Sequence, residues 1–140
     1  MKDCWYLGKK CLYEPPEGYY GYVYLIEVDR TLYIGKKAFT HRKKTKLSKK
    51  ARVGTRKRVE VKQVDSGWLD YYGSSKPLLE YLNKRGNKDG VKRTILKLCQ
   101  TKQDLAYWEM HYLVTENVLF KQEYWNGNIL SKFFKGKINE

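Results

Sequence analysis

No run of about eighteen apolar residues occurs anywhere in this chain, so a helical membrane span is excluded. The opening stretch MKDCWYLGKKC has no apolar middle region, so no secretory signal is expected. Cysteine is scarce and odd in number: Cys4, Cys11 and Cys99. That set suits free thiols in a reducing cytoplasm, a host cell's cytoplasm if a phage encodes the chain. No CxxC spacing exists and only His41 and His111 could complete a ligand set, which argues against structural zinc. P-loop and GxSxG motifs are missing, as is any internal repeat. The scarcity that matters most is of acids: fifteen Asp and Glu face twenty-nine Lys and Arg.

Placement of the excess charge narrows the partner. Between Lys36 and Lys62 lie thirteen cations and one acid, Glu60, a surplus of twelve in a chain whose net charge is +14. Blocks of like charge repel unless a polyanion neutralises them. A nucleic-acid backbone is the expected polyanion, because neutralising phosphates releases counterions and drives affinity. Lys36, Lys43, Lys44, Lys46, Lys49, Lys50, Arg52, Arg56, Lys57 and Arg58 are the candidate contacts. A solvated loop and a basic targeting signal are the competing readings.

A length of 140 residues with 41% hydrophobic content allows one domain with a modest core. Residues 1–18 read as an aromatic, basic leader ending at the turn-forming Pro15-Pro16-Glu17-Gly18. Tyr19 to Gly35 reads as a β-hairpin hinged at Asp29-Arg30, rich in residues that favour strands. Residues 36–67 form a basic insert, helical in part at most. A helix should start at Ser75-Lys76-Pro77, a strand should span Val91 to Cys99, and a capping box at Thr101 to Asp104 should open a helix reaching about Glu116. Asn126-Gly127 marks a turn. The expected fold is α+β, a small, mainly antiparallel central sheet flanked by helices.

Two features carry chemistry. With a two-residue turn, Val28 faces Thr31, Ile26 faces Tyr33 and Tyr24 faces Gly35, so Tyr22, Tyr24 and Tyr33 share one face. An aromatic core stripe fits this pattern as well as a site does. Glu109 breaks the tie. It lies four residues from both Leu105 and Leu113, inside the apolar stripe of its helix, where a carboxylate needs a partner. That partner is either one of the many cations or a hard metal ion, which takes one or two carboxylates and completes its shell with water and phosphate.

At this point the chain resembles the GIY-YIG nucleases. Tyr33-Ile34-Gly35 matches the second half of the name; Tyr22-Val23-Tyr24 stands for the first, with Tyr22 where the family has glycine. "WLDYYGSSKPLLEYL", "RTILKLCQTKQDLAYWE" and "YWNGNI" look like the phage-type branch, related to free-standing homing endonucleases. The resemblance covers about residues 19–128. It implies a Mg²⁺-dependent endonuclease, with Mn²⁺ as a substitute, acting on double-stranded DNA; cutting both strands would call for a homodimer. It also implies roles: Tyr24 takes a proton from water, Tyr33 assists at the scissile phosphate, Glu109 binds the metal and Asn126 closes the site, with Asn128 as its substitute. Arg42 binds the phosphate, with Arg52, Arg56 and Lys37 as alternatives. Tyrosine is a poor base near neutrality, with a pKa of about 10. Lys36, Lys37, Arg42 and the metal are expected to favour its phenolate. The rival readings are a basic nucleic-acid-binding protein of the same fold without the chemistry, and a ribosome-associated RNA binder, which leaves Glu109 unexplained.

Overall fold

The computed structural model describes residues 3–140. Its strands are β1 (Trp5–Leu7), β2 (Lys10–Leu12), β3 (Gly21–Val28), β4 (Thr31–Ala38), β5 (Thr40–Lys46), β6 (Val59–Asp65), β7 (Lys92–Cys99), β8 (Asn128–Ile129) and β9 (Phe133–Phe134). Two helices, α1 (Lys76–Arg85) and α2 (Lys102–Thr115), accompany them. The main sheet runs β2-β1-β7-β3-β4 and is antiparallel except where β1 lies parallel to β7. β5 and β6 form a separate two-stranded ribbon, and β8 and β9 a small second one. No helix among the described residues is long and apolar enough to cross a membrane.

The central hairpin has the expected register. Asp29 and Arg30 both take positive φ, 47° and 65°, the backbone of a tight two-residue hairpin turn. Val28 therefore faces Thr31, Ile26 faces Tyr33 and Tyr24 faces Gly35. The Asp29 carboxylate accepts from Arg85 at 2.9 Å and from Tyr81, which fastens the turn to the end of α1. Both helix starts are capped as the sequence predicts: Ser75 Oγ accepts from the amide of Leu78, and Thr101 Oγ1 from that of Asp104.

Each face of the sheet has its own core. One gathers Trp5, Tyr22, Tyr24, Ile26, Trp68 and Leu78 beneath α1; the other gathers Val23, Ile34, Cys99, Leu105 and Leu113 beneath α2. With both faces covered, β3 is buried almost throughout instead of alternating.

Three expectations need correction. The leader is structural: β1 extends the sheet, and Trp5 is fully buried, donating from Nε1 to the Trp68 carbonyl at 2.6 Å. Cys4 and Cys11 are joined in a disulfide, not free. The β1–β2 hairpin pairs Tyr6 with Cys11 and brings the two Cα atoms to 5.7 Å, within bridging range. Cys99 alone is a free thiol, and it is buried. Third, the basic insert is a β-ribbon and not partly helical, and its first three residues belong to β4.

Because Trp5 fills the space between Tyr22, Tyr24 and Arg93, Trp5→Ala should cost about 3–5 kcal/mol in urea unfolding. A loss below about 1 kcal/mol would make β1 a peripheral addition.

Candidate active site

The site lies along β4, the outer strand of the main sheet. Its exposed side is partly sealed by the segment before β8. Leu32 donates to the Glu123 carbonyl and accepts from the Trp125 amide, both at 2.8 Å. The buried side chain of Asn126 continues the seal: its Oδ1 accepts from Ile34 N at 3.1 Å and its Nδ2 donates to Ile34 O at 2.8 Å. Asn126 is thus more than the expected turn residue. Its amide is committed to the backbone of the Tyr-Ile-Gly strand and holds that strand in place. Asn128 lines the neighbouring cleft with its Oδ1 bonded to the Ser131 amide.

Beyond Ile34 the seal stops and two clefts of about 420 and 380 Å³ open. Ser74 and Glu109 line both. Tyr33 and Asn126 belong to the larger cleft; Lys36, Lys37 and Tyr71 belong to the smaller. Strand pleating explains the mixture. Tyr33, Gly35 and Lys37 point to the α1 side with Tyr24, whereas Lys36 points to the α2 side with Glu109. At the sheet edge the two sides meet.

Glu109 is half-buried, and among the described residues it makes no ion pair. Desolvation pushes its carboxyl above the ordinary glutamate value, partly countered by the nearby Lys36 ammonium. The ion pair with a cation of the chain, one of the two readings of Glu109, is not formed among the described residues. A carboxylate left in this state is poised to receive a cation from outside.

The tyrosines form a stack on the other side. Tyr24 lies 6.2 Å from Tyr33 and 5.8 Å from Tyr71, edge-on to the latter. Lys37 Nζ sits 4.2 Å from the Tyr71 ring centroid, a cation–π contact. The Tyr33 hydroxyl shares a 3.0 Å hydrogen bond with Ser74 Oγ. Gly35 makes room for this arrangement: a Cβ there would stand 2.4 Å from the Tyr24 hydroxyl. Gly73 serves the same end, since its φ of 95° turns the Ser74 loop against the Tyr33 ring.

Tyr24 departs from the expected ionisation. Its hydroxyl is fully buried beside the Tyr71 side chain, without a hydrogen bond of good geometry, and burial first, then the neighbouring Tyr71, holds its pKa well above the ordinary tyrosine value. The Tyr71 ring packs edge-on against Tyr24 and carries the Lys37 ammonium on its own face. Burial also raises Tyr33, with the Ser74 bond acting in the opposite direction. Tyr24 lines neither cleft and sits one ring behind both.

Arg42 also lies outside the clefts. It occupies the exposed ribbon, opposite Gln63 on β6, while Arg52 and Arg56 belong to the ribbon's tip. Of the four cations considered for the scissile phosphate, Lys37 alone shares a cleft with Glu109, and Lys36 joins it there. Tyr71 and Ser74 were not foreseen as site residues. The signal lay in "DYYGSS", where a glycine between hydroxyl-bearing residues marks a tight loop, but nothing local says which strand that loop meets.

Residues 5–129 match the family described as "Putative endonuclease segE, GIY-YIG domain". The chain belongs to that family. Neither a curated protein nor a solved structure matches it. Membership makes this an endonuclease-type domain.

The raised Glu109 carboxyl sets a pH dependence. A folded-state pKa above the unfolded value means the folded chain binds the proton more readily. This group's contribution to stability therefore increases as pH falls from neutrality through its raised pKa, and levels off below the ordinary glutamate value. Glu109→Gln should abolish that component and raise the melting temperature at pH 7 in EDTA. A melting curve of the variant that parallels the wild type from pH 4 to 8 would show that Glu109 is solvated.

Proposed function

We propose that residues 1–140 form a single nuclease domain, with the basic insert at 36–67, that hydrolyses phosphodiester bonds of double-stranded DNA using a divalent metal. The observation that carries this reading is Glu109, an unpaired, desolvated carboxylate shared by two clefts, with Tyr33 in one and Lys36 and Lys37 in the other.

The donor set fits a hydrated hard cation. Among the described residues no cluster of three His, Cys, Asp or Glu exists, so Glu109 would hold the ion alone, with water and phosphate completing the shell. Bound there, Mg²⁺ or Mn²⁺ supplies Lewis acidity for the departing 3′ oxygen. Lys36 and Lys37 offset the negative charge that builds on the phosphate. The Tyr33 hydroxyl, fixed by Ser74, orients the attacking water. Tyr24 in the free protein is a neutral phenol, the wrong form for a base. It accepts the water's proton only once cationic charge in the cleft offsets its burial. Asn126 acts through Ile34 as a positioning residue.

Nicking of supercoiled plasmid with Mg²⁺ but not with EDTA is the expected result. Duplex binding with no cutting in either Mg²⁺ or Mn²⁺ would favour the non-catalytic reading. Glu109→Ala and Tyr24→Phe should each lower cleavage at least about 100-fold while leaving binding in EDTA unchanged. Tyr24→Phe removes a buried hydroxyl without a well-formed hydrogen bond, so it should cost little stability. Cutting at the wild-type rate by Tyr24→Phe would rule Tyr24 out as the base.

The ribbon supplies the grip. If six of its cations meet phosphates, log K should fall against log[salt] with a slope of about −5, and Lys→Ala at 43, 44, 49 and 50 together should flatten it by roughly three to four units. An unchanged slope would place the binding surface elsewhere.

A further inference from the structure

The two faces of the β5–β6 ribbon differ. Cross-strand pairing puts Arg42 opposite Gln63, Lys44 opposite Val61 and Lys46 opposite Val59 on one face. The other carries His41 opposite Val64, Lys43 opposite Lys62 and Thr45 opposite Glu60. On the second face Glu60 lies 3.6 Å from Lys62 and Val64 is half-buried at the root. On the first face all six residues, Arg42, Lys44, Lys46, Val59, Val61 and Gln63, are exposed. No acid lies among them. The one carboxylate further along that face, Asp65, is occupied by the Gly67 amide at 2.6 Å.

Val59 and Val61 are the anomaly. They are 41% and 39% exposed on a ribbon with no core to join. An isolated two-stranded ribbon is marginal in water, and solvation alone does not explain two adjacent valines among lysines. Gln63 is prepared in another way: its Oε1 accepts from Thr40 Oγ1 at 3.0 Å, which fixes the plane of the amide.

We propose that this face enters the DNA major groove and reads bases. It rests on the DNA-nuclease reading and adds base recognition to it. A major groove about 12 Å wide admits two strands about 4.8 Å apart. Arginine has the fork that reads guanine O6 and N7, glutamine the amide that reads adenine N6 and N7, and exposed valines suit thymine methyls. Lys43, Lys62 and the tip lysines and arginines meet the flanking phosphates, which position without reading.

The root links reading to cutting. Phe39, between β4 and β5, is buried, and its amide and carbonyl bond to Tyr20 and Ser66. Arg42 follows Lys37 by five residues, a span of at most about 17 Å. Preferred bases should therefore lie within about five base pairs of the cut, at about 3.4 Å per step.

The test is selection from a randomised duplex library by the full-length wild-type chain in EDTA. Enrichment of a short motif containing guanine is expected. Arg42→Ala should erase the guanine preference, a loss of about tenfold or more, and Gln63→Ala should relax an adjacent position. The pair Lys43→Ala, Lys62→Ala should weaken binding to all sequences alike and leave the motif intact. No enrichment, a motif unchanged in Arg42→Ala and Gln63→Ala, or one altered by the Lys43 and Lys62 pair would each overturn the proposal. Failure of the nuclease reading shows separately, as absent plasmid cutting with Mg²⁺; a chain that enriches the motif without cutting keeps the base-reading face.

Discussion

A buried guanidinium organises one side of this molecule. Arg93 is 2% exposed, in the middle of the sheet on β7. It donates to the carbonyls of Leu69 and Tyr71, both at 2.8 Å, pairs with Asp3 at 3.3 Å, and lies against the rings of Trp5 and Tyr72. An unpartnered charge at that depth would be costly, so the amino-terminal strand and the loop before α1 are both drawn in to satisfy it. Tyr71 is held by its backbone carbonyl and so presents its ring to Tyr24 and Lys37. The tyrosine stack at the site is thus a by-product of compensating a charge on a neighbouring strand.

The site itself depends on an incomplete edge. β4 is paired on its outer side as far as Ile34, and the Ala38 carbonyl at its end accepts from Ser66 Oγ at 2.6 Å; the opening lies between. Where cover ends, the pleat brings Lys36 and Lys37 out on opposite sides, and a carboxylate from α2 reaches the same opening. A fully covered strand would leave no cleft, and an uncovered one would leave Tyr33 and Gly35 without a fixed position.

What could be read in the sequence was local. The Asp29-Arg30 turn, the facing of Tyr24 with Gly35, the caps at Ser75 and Thr101, and the misplaced carboxylate of Glu109 all follow from spacings of a few residues. What could not be read is long-range or masked. Trp5 meets β7 about ninety residues away, in a parallel pairing that no hairpin signal announces. The alternation in "THRKKTK" and "VEVKQVD" is hidden, because neither face of that ribbon is apolar enough to show a period of two. Arg93 reads as one more surface cation in "VKRTILKLC", and only the packing reveals that it is buried. Tyr24 shows the limit most directly: its placement was legible, but its ionisation depends on how deeply the packing buries it.

The sealing of β4 has a further consequence for assembly. An open sheet offers its two outer strands as templates for another chain, and proteins blunt such edges by covering or shortening them. Here Glu123 to Asn126 occupies one edge. The other ends in β2, three residues long with Lys10 exposed and clamped to β1 through Cys4 and Cys11. Strand addition is hindered at both ends of the main sheet, by the covering segment along part of β4 and by the shortness of β2. A second copy recruited to cut the opposite strand is better placed to meet this one through side chains, on a helix or on the ribbon, than by extending the sheet.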